Sequence, residues 1–265
     1  MSREQLANDI WRACDIMRRD NNCGGIMDYI EHLAWVLFLK FLDDQETIFQ
    51  AEAAIVGREY IPTIDEPYRW SVWLPKALGE TVWLNGRRGA PEWSGDDLMR
   101  FIRGELLPYL SKLSGSSERD VIASIFSNDR NIIVCASPYN LKDVFEIVDK
   151  VDFKNPDDIY TVSHVYEGLL QKLGNENKMA GEFYTARPII RFMVKVIDPK
   201  IGETVYDPAS GSCGFLVEAF EHMKQQEQIT RDHEKLQDAT LFGNEKKAVP
   251  ALLGTMNLVL HGVRV

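Results

Sequence analysis

Two short apolar runs in the last third of the chain are each followed by glycine and an acidic residue, and this order restricts the fold more than any other feature. The first run, Thr204 to Tyr206, precedes D207-P-A-S-G-S-C-G214 and a helical pattern. The second, Thr240 to Phe242, precedes G243-N-E245 and another helical pattern. Strand, glycine loop, helix, strand and acid form half of a nucleotide-binding α/β unit. We therefore expect residues 151–265 to hold the first part of an α/β, Rossmann-like domain.

The segment from Asp207 to Gly214 has features of a ligand site. Gly211 and Gly214 remove side chains where the strand turns into a helix, and that helix offers unpaired N–H groups and the positive end of its dipole. Two interpretations stay open at this point. The segment is either a site for a carboxylate or phosphate group, or a tight turn that needs glycine for its geometry alone.

Glu245 favours a ligand. In dinucleotide-binding folds, an acid about 20 residues past the glycines holds the ribose hydroxyls from the tip of the next strand. Glu245 lies 31 residues past Gly214 because residues 225–238 form a polar insert, and an insert after the helix leaves the strand tip in place. The loop is not G-x-G-x-x-G, and Asp207 stands where a dinucleotide loop needs no acid. A ligand with a ribose and a cationic or zwitterionic head group therefore fits better than one with a pyrophosphate.

Residues 1–150 have the pattern of a mainly helical domain. Apolar residues recur at three- and four-residue spacing in two segments, and the second is apolar nearly all round, as expected of a core helix. The recurring residues are Leu6, Ile10, Cys14 and Met17, then Ile26, Ile30, Leu33, Leu37 and Phe41. Residues 61–93 are rich in proline, glycine and tryptophan, which predicts loops and short strands. Their tryptophans are either hydrophobic anchors or stacking platforms for bases.

Three further helix starts are predicted. N140-L-K-D143 resembles a helix cap, and N155-P-D-D158 is a stronger one, with a cap residue, a proline at the first helical position and acids at the positive end of the dipole. Pro188 is expected to start another helix, whereas Ser137-Pro138-Tyr139 is interpreted as a loop.

Composition excludes several classes of protein. Thirty Lys and Arg against 40 Asp and Glu give a net charge of −10, so the chain alone should bind nucleic acid poorly. No stretch approaches the ~20 apolar residues of a membrane span and no signal peptide opens the chain, so a cytoplasmic protein without membrane contact is expected. The four cysteines form no C-x-x-C pair and lie near no histidine at zinc spacing, so no metal site is expected.

Other catalytic motifs are missing from the sequence. It has no G-K-[ST] of a P-loop and no G-x-S-x-G elbow. Cys213 stands at a helix start, but nothing nearby has the pattern of its general base, which disfavours a nucleophilic role.

The motifs together resemble those of the modification subunit of type I restriction-modification systems, a family of S-adenosylmethionine-dependent adenine-N6 DNA methyltransferases. The resemblance rests on the order of several segments along nearly the whole chain. They are W11-R-A-C-D, F38-L-K-F-L-D-D, G181-E-F-Y-T-A-R-P, D207-P-A-S-G-S-C-G-F-L, G243-N-E-K and M256-N-L-V-L-H-G-V. It implies a helical first domain followed by a methyltransferase domain with bound S-adenosylmethionine.

The resemblance also implies a set of cofactor-binding residues. They are Glu182, Phe183, Tyr184, Thr185, Ala186, Arg187, Asp207, Gly211, Ser212, Cys213, Gly214 and Glu245. The E-F-Y-T loop and the glycine turn would enclose the methionine part, Asp207 would take its ammonium, and Glu245 would accept both ribose hydroxyls. The implied partners are a specificity subunit, an endonuclease subunit, a second modification subunit and, through the assembled complex, duplex DNA.

The sequence departs from the family in two ways. Ala186, Ser210 and Cys213 replace the family's usual residues, and the larger Cys213 would narrow the pocket. The chain has no Asn-Pro-Pro-aromatic motif to receive a flipped adenine, so the catalytic motif is expected beyond Val265 and the chain to be an inactive N-terminal fragment. An uncovered face of Leu252, Met256 and Leu260 would then favour self-association.

Two alternatives remain. The chain could be a non-catalytic module for subunit assembly, or a nicotinamide-dependent Rossmann enzyme.

Overall fold

A computed structural model of the chain describes residues 2–23, 25–55, 57, 59–79, 83–84, 87–88, 93–126, 137–176, 184–227, 230–238 and 240–263. Contacts between Cα atoms divide the chain into two compact units, Met1–Thr161 and Val162–Val265. The predicted division near residue 150 stays a prediction.

The first unit begins with the two helices that the periodicity predicted. Helix α1, Arg3–Arg18, starts at a capping box in which Ser2 and Gln5 each accept the other's backbone N–H. Helix α2, Ile26–Ile55, buries Leu33 and Leu37 completely. Its apolar surface makes it the core helix of this unit.

The tryptophan-rich stretch contains a helix where loops were expected. A 3-10 turn, Glu66–Tyr68, leads into α3, Trp70–Leu78, and two short antiparallel strands follow, β1 Trp83–Leu84 and β2 Arg87–Arg88. Proline and glycine hid the helical spacing of the apolar residues. In α3 the rings of Trp70 and Trp73 are buried at 3% and 1% exposure, so these two anchor the core and cannot stack on bases.

The other helices of this unit complete its core. They are α4 Gly95–Phe101, a π-helical turn Ile102–Leu106, α5 Leu107–Leu110, α6 Ser117–Phe126 and α7 Pro138–Asp149. Two predictions were wrong at the start of α7. Its cap is Ser137, whose Oγ accepts the N–H of Asn140 at 3.3 Å, and Pro138 and Tyr139 are helical instead of forming a loop. Because Pro138 lacks an N–H, it fits the first helical position.

Helix α8, Pro156–Glu176, starts at the predicted cap. The side chain of Asn155 accepts the N–H of Asp157 at 2.9 Å. The second unit then contains α9 Arg187–Ile197, β3 Val205–Asp207, α10 Gly214–Lys224, α11 Thr230–Asp238, β4 Leu241–Gly243 and α12 Ala248–Leu260. The polar insert at residues 225–238 thus contains helix α11, where buried Leu236 packs with Phe220 and Met223.

Strands β3 and β4 pair in parallel, with Val205, Tyr206 and Asp207 opposite Leu241, Phe242 and Gly243. Parallel strands joined through a helix are the predicted first part of an α/β fold, and a helical domain followed by this unit confirms the predicted fold class. Because parallel strands run the same way, Asp207 and the segment after Gly243 lie at one edge of the sheet.

The prediction of an uncovered face on α12 was wrong. Leu252, Met256 and Leu260 are all at most 3% exposed, because α12 packs against other parts of its unit. Exposed apolar side chains lie on α9 and the two strands instead, at Ile189, Phe192, Val196, Ile197, Tyr206 and Phe242. Within the described part of the chain, no helix combines the length and apolar character needed to cross a membrane.

Candidate functional site

Backbone hydrogen bonds join the two loops that follow β3 and β4. The N–H of Asn244 donates to the carbonyl oxygen of Asp207 at 2.9 Å, and the N–H of Ser210 donates to the carbonyl oxygen of Asn244 at 3.0 Å. The carboxylate of Asp207 accepts the N–H of Ala209 at 3.1 Å. The predicted site therefore has a defined geometry at the carboxyl edge of the sheet.

Glu245 is built into this loop. One carboxylate oxygen accepts the N–H of Gly211 at 3.0 Å, and the other accepts the N–H of Lys247 at 2.8 Å. A carboxylate has about four acceptor positions, so each oxygen keeps capacity for a further donor. Glu245 thus fixes the glycine loop and can still accept hydroxyl groups.

The loop itself is a tight turn with two left-handed residues. Gly211 has φ 52° and Cys213, which caps α10, has φ 57°. The N–H of Cys213 donates to the carbonyl oxygen of Ser210 at 2.7 Å. Glycine adopts such angles without cost, whereas a residue with a Cβ is strained there.

The thiol of Cys213 is buried against α12. The residue is 6% exposed, and a Cβ added to Gly254 would lie 2.6 Å from its Sγ. Burial raises the pKa of this thiol to about 11, which opposes a nucleophilic role. The Sγ atom is thus held on the α12 side of the loop.

An open cleft of about 300 Å³ lies beside the end of β3. Its walls come from α9, β3 and α10, and they are mainly apolar, with one acidic residue. They comprise Met193, Val194, Ile197, Pro199, Val205, Tyr206, Asp207, Pro208, Phe215 and Ala219. An apolar cleft with one carboxylate suits a ligand that has both an apolar part and a cationic group.

Arg187 supports the loop from the start of α9. Its Nη1 donates to the carbonyl oxygen of Gly214 at 2.7 Å, its Nε donates to Glu167 of α8 at 2.9 Å, and its Nη2 also bonds Glu167. A Cβ on Gly214 would lie 2.8 Å from Ile190, so glycine allows α9 to approach α10 here. Three helices therefore meet at the loop.

The predicted E-F-Y-T segment is described only in part. Glu182 and Phe183 lie outside the described residues. Tyr184 packs on Gly174, where a Cβ would lie 2.6 Å from its ring, and burial raises the pKa of Tyr184. Thr185 and Ala186 are exposed just before α9.

The structure brings together seven of the predicted site residues by direct contact or in the same loop. They are Arg187, Asp207, Gly211, Ser212, Cys213, Gly214 and Glu245. Sequence reasoning missed Glu167, Gly254 and Asn257, which contact this set. A signal existed for Asn257, since it lies in the M256-N-L-V-L-H-G-V segment, but nothing local assigned it a role. Among the described residues, no group of three or more His, Cys, Asp or Glu could hold a metal ion.

Family comparisons cover both units. A model described as HsdM N-terminal domain matches residues 6–148, and one described as N-6 DNA Methylase matches residues 157–265. The second match contains the whole candidate site.

Individual relatives agree with these matches. The type I restriction enzyme EcoEI methylase subunit of Escherichia coli is 35% identical over 95% of this chain and 48% of its own length. The StySJI methylase subunit of Salmonella typhimurium is 30% identical over 99% of this chain and 44% of its own length. The chain spans about half the length of these curated relatives.

A solved structure shows the same fold. It concerns complex assembly and conformational transition of the type I R-M system, and one of its chains is 56% identical with a TM-score of 0.83. The match covers 99% of this chain and 50% of that chain.

Proposed function

This chain belongs to the HsdM N-terminal domain family, and from that premise we propose that it is part of a type I modification subunit that methylates adenine N6 in duplex DNA. The observation that carries the proposal is the joined pair of strand ends, with Asp207 and the glycine loop on one and Glu245 on the other. This site lies within the segment that matches the N-6 DNA methylase model. The similar proteins are named type I restriction enzyme methylase subunits, which supports a role in methyl transfer.

The chemistry of the site fits S-adenosylmethionine. Asp207 lines the apolar cleft and suits an ammonium group, and Glu245 keeps acceptor capacity for two ribose hydroxyls. The cap residue of α10, Cys213, makes no side-chain hydrogen bond to the first N–H groups of that helix, which suits them to an anionic or polar ligand group. When bound, S-adenosylmethionine supplies an electrophilic methyl group.

Other predicted residues take supporting roles in this proposal. Ser212 and Cys213 form the turn, and Arg187 fixes it through the Gly214 carbonyl. Glu182, Phe183, Tyr184, Thr185 and Ala186 are proposed to close the site from the segment before α9.

The charge of the chain bears on its partners. With a net charge of −10, the chain by itself should bind DNA phosphates poorly. We therefore propose that a specificity subunit supplies DNA recognition, and that an endonuclease subunit and a second modification subunit join the complex.

Calorimetry with S-adenosylmethionine and with NAD tests the ligand. The chain should bind S-adenosylmethionine in preference to NAD. Glu245→Ala should cost about 1 to 3 kcal/mol of binding free energy, because it removes the acceptor for the ribose and loosens Gly211. Glu234→Ala, which removes an exposed acid of α11, is the matched control and should leave the affinity unchanged.

The outcomes separate the alternatives. Preferential binding of NAD would favour a dehydrogenase. If Glu245→Ala binds S-adenosylmethionine as tightly as the unchanged chain does, the ribose does not bind at Glu245. In an intact modification subunit that carries this sequence, methyl transfer to cytosine or RNA would contradict the proposed reaction.

A further inference from the structure

Helix α12 passes directly beneath the glycine loop, although the proposed function gives it no role. Gly254 and Asn257 are three residues apart, so they lie on the same face of α12. Both contact the segment Gly211–Gly214, one through its backbone and the other through its side chain. The two residues therefore form one surface that supports the loop.

Gly254 sets the distance between helix and loop. A Cβ at this position would lie 2.8 Å from the carbonyl oxygen of Gly211 and 3.3 Å from the backbone nitrogen of Cys213, besides its contact with the Cys213 thiol. Two of these neighbours are backbone atoms, which cannot rotate away. Only glycine therefore allows α12 to come this close.

Asn257 makes the polar contact with the loop. Its Nδ2 donates to the carbonyl oxygen of Ser212 at 2.8 Å, and Asn257 and Ser212 are 1% and 3% exposed. A carbonyl can only accept, so the amide must present its nitrogen to Ser212. In the described part of the chain, its Oδ1 accepts no hydrogen bond.

A buried amide with an unsatisfied oxygen is costly for stability, by about 1 to 3 kcal/mol. An apolar side chain of similar size would avoid that cost but would not donate to the Ser212 carbonyl. The contact with the loop is thus what Asn257 provides that leucine would not.

We infer that Asn257 is a positioning residue for the cofactor loop, with Gly254 fixing the approach of α12. This inference rests on the proposed function of the loop. Side chains from three different elements then contribute to holding the turn: Glu245 on the Gly211 N–H, Asn257 on the Ser212 carbonyl and Arg187 on the Gly214 carbonyl. With these atoms fixed, the loop is already ordered before a ligand binds, which reduces the entropy lost on binding.

Two variants test Asn257 without changing its volume greatly. Asn257→Leu removes the donor and the unsatisfied oxygen together, and Asn257→Asp keeps the shape but puts a carboxylate against the carbonyl. The matched control is Leu258→Ala, on the same helix. Leu258 packs against the cluster of Phe220, Met223, Leu236 and Val263, so its truncation lowers stability without touching the loop.

Two measurements are compared for each variant. The first is the Kd for S-adenosylmethionine by calorimetry, which should rise at least about tenfold for both Asn257 variants. The second is hydrogen exchange of the loop 210–214, relative to that of β4, which should become about tenfold faster. Leu258→Ala should lower the unfolding midpoint, yet change neither the Kd nor this exchange ratio by more than about twofold.

The outcomes distinguish this inference from the proposed function. If the Asn257 variants keep the Kd of the unchanged chain, or if their loop exchanges as before, Asn257 does not position the loop and the inference is overturned. If the unchanged chain does not bind S-adenosylmethionine, the proposed function fails, and the exchange ratio still decides whether Asn257 orders the loop. If Leu258→Ala raises the Kd as much as Asn257→Leu does, the inference is also overturned, because the loss of affinity would then follow from lower stability alone.

Discussion

Cys213 combines a left-handed backbone with a buried side chain. Its backbone is left-handed, which costs a residue with a Cβ about 1 to 2 kcal/mol relative to the right-handed form, and its side chain is 6% exposed. The sequence suggested that the larger side chain would narrow the pocket. The structure instead seats the thiol beside Gly254, where no Cβ competes for the space. The tight fit of cysteine and glycine makes the two positions dependent on each other.

Cys213 should therefore be almost inert toward alkylation in the folded chain. With a pKa of about 11, about one thiol in a thousand is ionised at pH 8, and burial restricts access further. Iodoacetamide labelling followed by peptide mass analysis should give less than about a tenth of the rate seen for Cys213 in urea. Equal rates in the two states would contradict the burial of this thiol against α12.

Helix α2 is apolar, yet it holds acidic residues that fix later parts of the chain. Asp44 accepts two hydrogen bonds from Lys40, at 2.7 and 2.8 Å, and the N–H of Phe153 at 3.0 Å. Glu46 accepts the N–H of Thr63 at 2.6 Å. Asp44, in the segment F38-L-K-F-L-D-D, and the nearby Glu46 thus have a structural role, because they bind segments distant in sequence to the core helix.

Asp44→Ala should lower the free energy of unfolding of the first unit by about 3 kcal/mol. The substitution leaves the Lys40 ammonium, whose side chain is 11% exposed, and the Phe153 N–H without their acceptor. Urea denaturation followed by tryptophan fluorescence measures this unit, since all six tryptophans precede residue 94. Gln50→Ala, at an exposed position of α2, is the control and should stay within about 0.5 kcal/mol. If Asp44→Ala also lowers the free energy of unfolding by no more than about 0.5 kcal/mol, the hydrogen bonds of Asp44 with Lys40 and Phe153 do not stabilise the folded unit.

At the scale of the whole molecule, each unit contains a histidine shielded from solvent: His32 is buried and His261 is half-buried. The Nδ1 atoms of His32 and His261 lie 2.7 and 2.8 Å from the carbonyl oxygens of Asp28 and Asn257. Burial lowers the pKa of both histidines below the ordinary value of 6.5. The unfolded chain therefore binds protons on these residues at a pH where the folded chain does not.

Stability should accordingly fall as the pH drops below 6.5. More than about one pH unit above that value both histidines are neutral in both states and contribute no pH dependence. Below it, each subtracts about 1.4 kcal/mol per pH unit until its folded pKa is reached. Hydrogen bonds from Ser94 and Lys200 lower the pKa values of Asp97 and Asp198, respectively. The stability that these carboxylates contribute is therefore lost only at a pH below the range in which carboxylates usually titrate.

Urea denaturation at pH 7.5, 6.5 and 5.5 checks this, again by tryptophan fluorescence for the first unit. His32→Gln should reduce the loss between pH 6.5 and 5.5, because one titrating group is removed. The same loss in His32→Gln as in the unchanged chain would assign the pH dependence to other groups.

Local sequence determined the elements whose signals lie within a few residues of one another. The three- and four-residue spacing predicted α1 and α2, Asn155 and Pro156 predicted the start of α8, and strand, glycine loop, helix and strand predicted the parallel pair β3 and β4. Short-range signals failed where proline and glycine interrupted them, as in α3, or where two caps competed, as at Ser137 and Asn140. These features depend on backbone preference and side-chain periodicity, which the chain expresses locally.

Only the tertiary structure decided which groups support the site. Asn257 meets Ser212 across 45 residues, and Arg187 joins Glu167 to Gly214 over 20 and 27 residues. The same holds for the face formed by Leu252, Met256 and Leu260. The sequence predicted that this face is uncovered, whereas packing in the folded chain buries it. The residues near one another in sequence determine which face of a helix is apolar. They do not determine which part of the fold packs against that face. Close packing and the need to pair every buried polar group then select one arrangement, and that arrangement places α12 beneath the glycine loop.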